Sequence, residues 1–214
     1  MTLLNMTPKR LLLIGGGGHC VSCLDVIRLT GHYRVIGVID KFLGLGDRIG
    51  DTSVIGSDDE IAHWLGKVDQ VLITLGVVHR SGRRAELYRL LHGLGAEFAQ
   101  VVSPRAYVAP DAEIGQGSII MHDALVNSGA RIGQNCIINT KSLIEHGASV
   151  GHHCHISTRA TLNGDVSVGD NVLIGSHAVV FPGCQIGENT VVGGGQVVRK
   201  DLKAGYHPNR EKRW

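Results

Sequence analysis

Val126 to Ile156 reads VNSGARIGQNCIINTKSLIEHGASVGHHCHI. An aliphatic residue stands at every sixth place: Val126, Ile132, Ile138, Ile144, Val150 and Ile156. The register continues outward without a break. Upstream it takes in Val102, Val108, Ile114 and Ile120; downstream it takes in Leu162, Val168, Ile174, Val180, Ile186, Val192 and Val198. Four places after each aliphatic comes a small or slim residue, such as Ala130, Cys136, Ser142, Ala148 and Cys154, until Gln196 breaks the pattern. In a strand, residues two apart share a face. The small residue precedes the next aliphatic by two, so both point inward, and Gly, Asn and Asp fill the turning positions between them. A fixed short period of this kind specifies a β-solenoid. Three hexapeptides close one triangular coil, which stacks residues 18 apart at about 4.8 Å per coil.

Composition agrees with a narrow interior. The 214 residues include 30 Gly, 5 Pro and only 4% aromatics. The formal charge of +2 gives no electrostatic case for nucleic acid or membrane binding. No apolar run is long enough for a membrane span and the start lacks a signal-peptide profile, so a cytoplasmic protein is expected. Cys136, Cys154 and Cys184 fall in the small inward slot. Cys20 and Cys23 form a C-x-x-C early in a helix with no second pair to complete a zinc site, and read as core, so no metal is expected.

Upstream of the repeat the pattern changes. Arg10–Ile14 is a short apolar strand running into Gly15-Gly16-Gly17-Gly18-His19; a helix stopped by Gly31 follows, then a strand over Tyr33–Ile39 ending at Asp40. This is a βαβ unit of nucleotide-binding type, in which glycines admit a phosphate and the helix N-terminus favours its charge. Lys41–Gly56 reads as a loop, and Ser57 with Glu60 as a capping box for a short helix to Leu65. Gln70–Leu75 reads as a third strand ending at Gly76. Arg80–Leu91 reads as a helix with Arg83, Arg84 and Arg89 on its wet side, and Glu97–Val101 as a fourth strand. Expected domains are therefore 1–101, a small Rossmann-like unit; 102–199, the solenoid; and 200–214, a basic solvated tail.

The order of these modules, with GGGGH in the first and NTKSLIEHGASVG in the second, is similar to bacterial sugar acetyltransferases of the hexapeptide-repeat superfamily. That group includes sialic acid O-acetyltransferases and N-acetyltransferases of nucleotide-linked 4-amino sugars. The most specific segments are Ile137-Ile138-Asn139-Thr140 and Ile144-Glu145-His146. The resemblance implies a left-handed parallel β-helix and acetyl-CoA as co-substrate; since flat solenoid faces do not build a deep pocket alone, a homotrimer with the coenzyme between neighbouring solenoids is expected. It also implies a nucleotide-linked amino sugar as acceptor in bacterial glycan synthesis, with His146 as general base. Relatives often carry an acid directly after that histidine; Gly147 stands here, which leaves Glu145, another segment or no residue to support the base. The resemblance further implies His155, Ser176 and Gly194 at the coenzyme, and Gly17, Gly18, His19, Asp40, Lys41 and Gly76 at the nucleotide sugar. His152 and His153 are expected to face solvent. Three alternatives stand beside it: O-acetylation of a free sugar, a non-catalytic nucleotide-sugar binder, and a zinc hydratase with histidines shared between subunits.

Overall fold

The structure, a computed structural model, describes residues 7–77 and 82–208. The chain opens with β1 (Lys9–Ile14), α1 (Gly18–Thr30), β2 (Tyr33–Ile39), β3 (Arg48–Ile49), β4 (Thr52–Gly56), α2 (Ile61–Leu65), β5 (Gln70–Ile73) and α3 (Arg83–Gly93). The sheet order is β3-β4-β2-β1-β5, parallel except for the β3–β4 hairpin. That hairpin corrects the sequence reading of Lys41–Gly56 as loop. Two-residue β3 is too short to show alternation, and the turn at Gly50 has φ +59°. The capping box is present: the Ser57 N–H donates to Glu60 Oε2 at 3.0 Å.

The repeat forms 17 two-residue strands from Val101 to Val198, stacked in three parallel sheets of six, five and six strands. Every ladder pairs residues 18 apart, as in Ile137↔His155 and Ile138↔Ile156. The second residue of each pair points inward, and Ile120, Ile138, Ile144, Ile156, Leu162 and Ile174 are all at 0% exposure. Each such side chain contributes roughly 1.5–3 kcal/mol of burial. The edges turn through left-handed residues such as Gly129, Asn135, Gly147 and Asn171. Glycine and asparagine adopt this conformation readily, whereas bulkier residues adopt it at a cost.

The three faces differ in the first residue of each pair. One carries Val101, Ile119, Ile137 and His155, and the small domain docks on it; Ile119, Met121 and Ile137 join Cys20, Cys23, Leu24 and Ile27 of α1 in one core. The next face carries Tyr107, Leu125, Leu143, Thr161, Val179 and Val197, and lies bare, with Tyr107 56% and Val197 44% exposed. The third carries Glu113, Arg131, Ser149, Ser167 and Gln185 and is polar.

Two boundaries differ from the expectation. Val101–Val102 is the first rung of the solenoid, paired with Ile119–Ile120, and only Phe98 bridges to Val71 of the small sheet. The end of the chain is not a wholly solvated tail. Leu202 bridges Ile186, and the Val191 N–H donates to the Tyr206 carbonyl at 2.8 Å, so residues 201–208 cap the last coil. Arg210, Lys212 and Arg213 lie outside the described residues, as does Arg80.

Ile156→Ala is expected to lower unfolding free energy by about 2–5 kcal/mol, because the stacked coils cannot close over the gap. Ser149→Ala on the polar face is expected to change it by less than about 0.5 kcal/mol. Urea denaturation of the two variants checks the contrast.

Candidate active site

At the carboxyl ends of β1, β2 and β5, Gly15, Asp40, Lys41, Phe42, Asp58 and Arg83 line a cavity of about 210 Å³. The sequence-predicted Asp40 and Lys41 are there, but Asp40 is committed to shaping the loops. Its Oδ2 accepts the Gly16 N–H at 2.6 Å, and its Oδ1 accepts the N–H groups of Phe42 at 2.8 Å and Leu43 at 3.0 Å. Those bonds hold its carboxyl below the usual range despite the opposing effect of burial, the largest single influence. Gly17 and Gly18 begin α1, and a Cβ at either would meet nothing within 4 Å. The protein's own packing therefore does not require glycine there, and the backbone at the start of α1 is open to close approach. Asp58 and Arg83 form a part-buried ion pair in the wall, and Phe42 is 88% exposed at the mouth. Sequence reading assigned none of these three to the site.

His19 and Gly76 extend the site toward the solenoid. The His19 ring faces His155 at 6.4 Å between centroids, and a Cβ at Gly76 would come within 3.3 Å of His19 Cβ. His155 is 8% exposed. Its Nδ1 donates to the Val77 carbonyl at 3.1 Å, since a carbonyl can only accept, and its Nε2 accepts from Asn139 Nδ2 at 3.0 Å. The Asn139 Oδ1 takes the Thr140 N–H at 2.7 Å, which fixes the amide orientation. Burial, then Arg84, then His155 push the His19 pKa down to about 3. Burial lowers His155 to about 4 against the opposing bond to Val77, with Arg84 lowering it further.

Ser176 and Gly194 lie along the edge between the docked and bare faces, where the Gly195 N–H donates to the Ser176 carbonyl at 2.8 Å. His146 lies elsewhere, on the edge between the bare and polar faces, exposed. Its imidazole sits over Gly164, where a Cβ would come within 2.5 Å of Cε1. Glu145 does not hold that ring. Its Oε2 accepts from Asn127 Nδ2 at 2.9 Å and from the His146 backbone N–H at 3.1 Å, bonds that lower its pKa. Of the two asparagines 18 residues from Glu145, only Asn127 bonds it; Asn163 Nδ2 donates instead to the Val180 carbonyl at 2.7 Å. Gly147 has φ +66°, and a Cβ there would run into the Asp165 carboxylate, so an acidic side chain does not fit this edge as built.

Two further expectations are corrected. Arg84 is 3% exposed at the domain seam and not on the wet side of α3. His153 packs against α3, with its ring edge-on to Tyr88 at 5.3 Å and its Nδ1 bonded to Asn135 Nδ2 at 2.9 Å, while His152 is exposed as expected. Cys20 and Cys23 are buried; burial raises the Cys20 thiol to about 11 and the Cys23 thiol further, as suits core residues.

Both depressed histidines bind a proton more readily in the unfolded chain, so stability rises with pH wherever only the unfolded state is protonated. Thermal stability is expected to hold above about pH 6.5 and to fall as pH drops toward 4, by up to about 1.4 kcal/mol per pH unit for each histidine. Melting curves of the protein and of His155→Asn across that window check this, the variant showing the shallower slope.

Residues 10–88 match the PglD N-terminal domain family. Residues 147–182 match the bacterial transferase hexapeptide (six repeats), and residues 165–200 the hexapeptide repeat of succinyl-transferase. No curated protein sequence matches the chain. Among solved structures, a histidine-to-asparagine mutant of perosamine N-acetyltransferase from Caulobacter crescentus, in complex with CoA and GDP-perosamine, is 29% identical with a TM-score of 0.84; the match covers 91% of this chain and 90% of that one. The acetyltransferase domain of PglB from Neisseria gonorrhoeae FA1090 is 26% identical, with a TM-score of 0.85 and coverage of 92% and 94%. Its complex with acetyl coenzyme A aligns at 25% identity and a TM-score of 0.83 over 93% and 95%. The unbroken repeat, the nucleotide-type domain before it and these whole-length matches make the chain a sugar acetyltransferase of the hexapeptide-repeat superfamily.

Proposed function

We propose that the protein transfers the acetyl group of acetyl-CoA to the amine of a nucleotide-linked 4-amino sugar, in bacterial glycan synthesis, with His146 as general base. The observation that carries this reading is the cavity at the strand ends lined by Gly15, Asp40 and Lys41, in the same small domain whose His19 ring faces His155 of the solenoid. A free-sugar acceptor would leave that domain's open glycine loop without a role. The complexes of the relatives with CoA and GDP-perosamine, and with acetyl coenzyme A, support the two substrates.

The amine loses a proton as it attacks the thioester carbonyl, and an imidazole suits that task near neutral pH. Nitrogen bonds to the acetyl carbon, the thiolate of CoA leaves, and the proton taken by His146 can return to that sulfur. Backbone N–H groups at a solenoid edge are the donors for the developing oxyanion. Residues of the nucleotide loops hold the sugar; His155 with Asn139 borders the edge carrying Ser176 and Gly194, where the coenzyme would lie.

His146 of one chain cannot serve its own small domain, because its edge is the one opposite the docked face. A cyclic assembly resolves this. Around a three-fold axis lined by the bare apolar faces, one edge of each face meets the opposite edge of the next. His146 of one protomer then stands beside Ser176 and Gly194 of its partner. The stripe of Tyr107, Leu125, Leu143, Val179 and Val197 is the apolar surface such a homotrimer would cover. Five free cysteines and the need for acetyl-CoA fit a cytoplasmic setting.

His146→Ala is expected to lower kcat by about 10²–10⁴-fold with little change in KM for acetyl-CoA. Co-expressed with His155→Ala, it is expected to recover about a quarter of wild-type activity, since random assembly leaves that share of shared sites intact. Activity of a monomer, or of His146→Ala itself, would overturn the reading. Nucleotide-linked amino sugars are expected to raise Tm and free amino sugars to leave it unchanged.

A further inference from the structure

The first turn of α3 carries the Arg84 guanidinium, which is 3% exposed with no carboxylate among the described groups acting on it. Its Nε donates to the Asn135 carbonyl at 3.1 Å. Its Nη1 donates to the carbonyls of Ile73 at 2.5 Å and Leu75 at 3.0 Å, while Nη2 has no partner among the described residues. Burial lowers its pKa to about 10, which leaves it charged at neutral pH. A buried cation held only by carbonyl dipoles is costly, and an apolar side chain of similar volume would fill the space without that cost.

The groups it holds explain its presence. Ile73 ends β5 and Leu75 follows it; two residues on, the Val77 carbonyl takes the His155 Nδ1–H. Asn135 belongs to the solenoid, and its Nδ2 donates back to the Arg84 carbonyl at 3.3 Å. One side chain therefore ties the exit of β5, the start of α3 and a solenoid coil together, at the seam where His19 meets His155.

We propose that Arg84 is a positioning residue for acetyl transfer: by clamping the exit of β5 it holds the Val77 carbonyl on His155, keeps the His155 proton on Nδ1 and leaves Nε2 to accept from Asn139. The inference rests on the functional reading above. Arg84 is the one charged group acting on His155 among the described residues, and it acts on His19 together with His155. The remaining polar neighbours of His155 are the Val77 carbonyl and the Asn139 amide. The cation therefore disfavours protonation of both rings while the clamp selects the tautomer.

Imidazole ¹⁵N NMR on the full chain tests this without turnover. In the wild type, His155 is expected as a single Nδ1–H tautomer. In Arg84→Met the tautomers mix and the His155 titration rises by about one pH unit. Arg84→Lys keeps the charge but not the three-carbonyl fork, so it is expected to retain the low titration while the tautomers mix. A wild-type Nε2–H tautomer overturns the proposal. So does a folded Arg84→Met with the wild-type tautomer and titration, or, if that variant does not fold, a wild-type tautomer in Arg84→Lys. Absence of acetyl transfer in the wild type would sink the functional reading while leaving the tautomer result standing.

Discussion

Each coil of this solenoid lies on the next through backbone hydrogen bonds between strands whose paired residues are 18 apart, such as the Ile137 N–H on the Cys154 carbonyl at 2.9 Å. That stacking fills the interior with Val, Ile, Leu, Ala and Cys and leaves each two-residue strand one outward side chain. What distinguishes the faces is confined to those outward positions and to the edges. Ile119 and Ile137 on the docked face accept α1, Leu125 and Leu143 make the bare face apolar, and Arg131 with Ser149 keeps the third face wet. His155 occupies an outward position on the docked face, so it sits in the domain seam with no disturbance to the core.

The seam itself is partly polar, and its polar groups are tied from both sides. Besides Arg84 and Asn135, Asp25 of α1 bonds His122 Nε2 at 2.9 Å, and Ser103 bonds its Nδ1 at 2.7 Å. Ser103 is 1% exposed and its Oγ accepts the Arg105 N–H at 3.0 Å, so this trio is a clasp between domains and not a nucleophile relay. Networks of this kind hold one relative placement of two surfaces more sharply than apolar contact alone, because a displaced donor is left unpaired in a dry place. The small domain's nucleotide-type cavity and His155 thus keep one fixed relation.

The period-six pattern made the solenoid legible because each inward position repeats for every coil and each error would put an aliphatic in water. The βαβ start was legible for the same kind of reason, through Arg10–Ile14, the glycine run and Tyr33–Ile39. Hairpin β3–β4 was not, since two residues carry no periodicity. Arg84 was misread because a charged residue on an amphipathic helix normally faces water, and its carbonyl partners at 73, 75 and 135 are distant in sequence. Asp40 lines the cavity at the strand ends but its bonding was hidden: a residue after the second strand reads as a nucleotide-sugar contact, and only geometry shows its carboxylate spent on three backbone N–H groups.

The sequence alone determined the three-sided column, the inward place of Cys136, Cys154 and Cys184, and the nucleotide-type character of the first domain. These follow from local spacing, and spacing is written in the chain. Only the tertiary structure decided which face the small domain covers, which carbonyl sets the His155 proton, and that His155 lies in the domain seam while His146 stands on an edge away from it. Those relations join residues whose separations of 51 to 97 positions carry no periodic signal, as in Arg84–Asn135, His155–Val77 and Asp25–His122. They arise where two independently patterned surfaces meet.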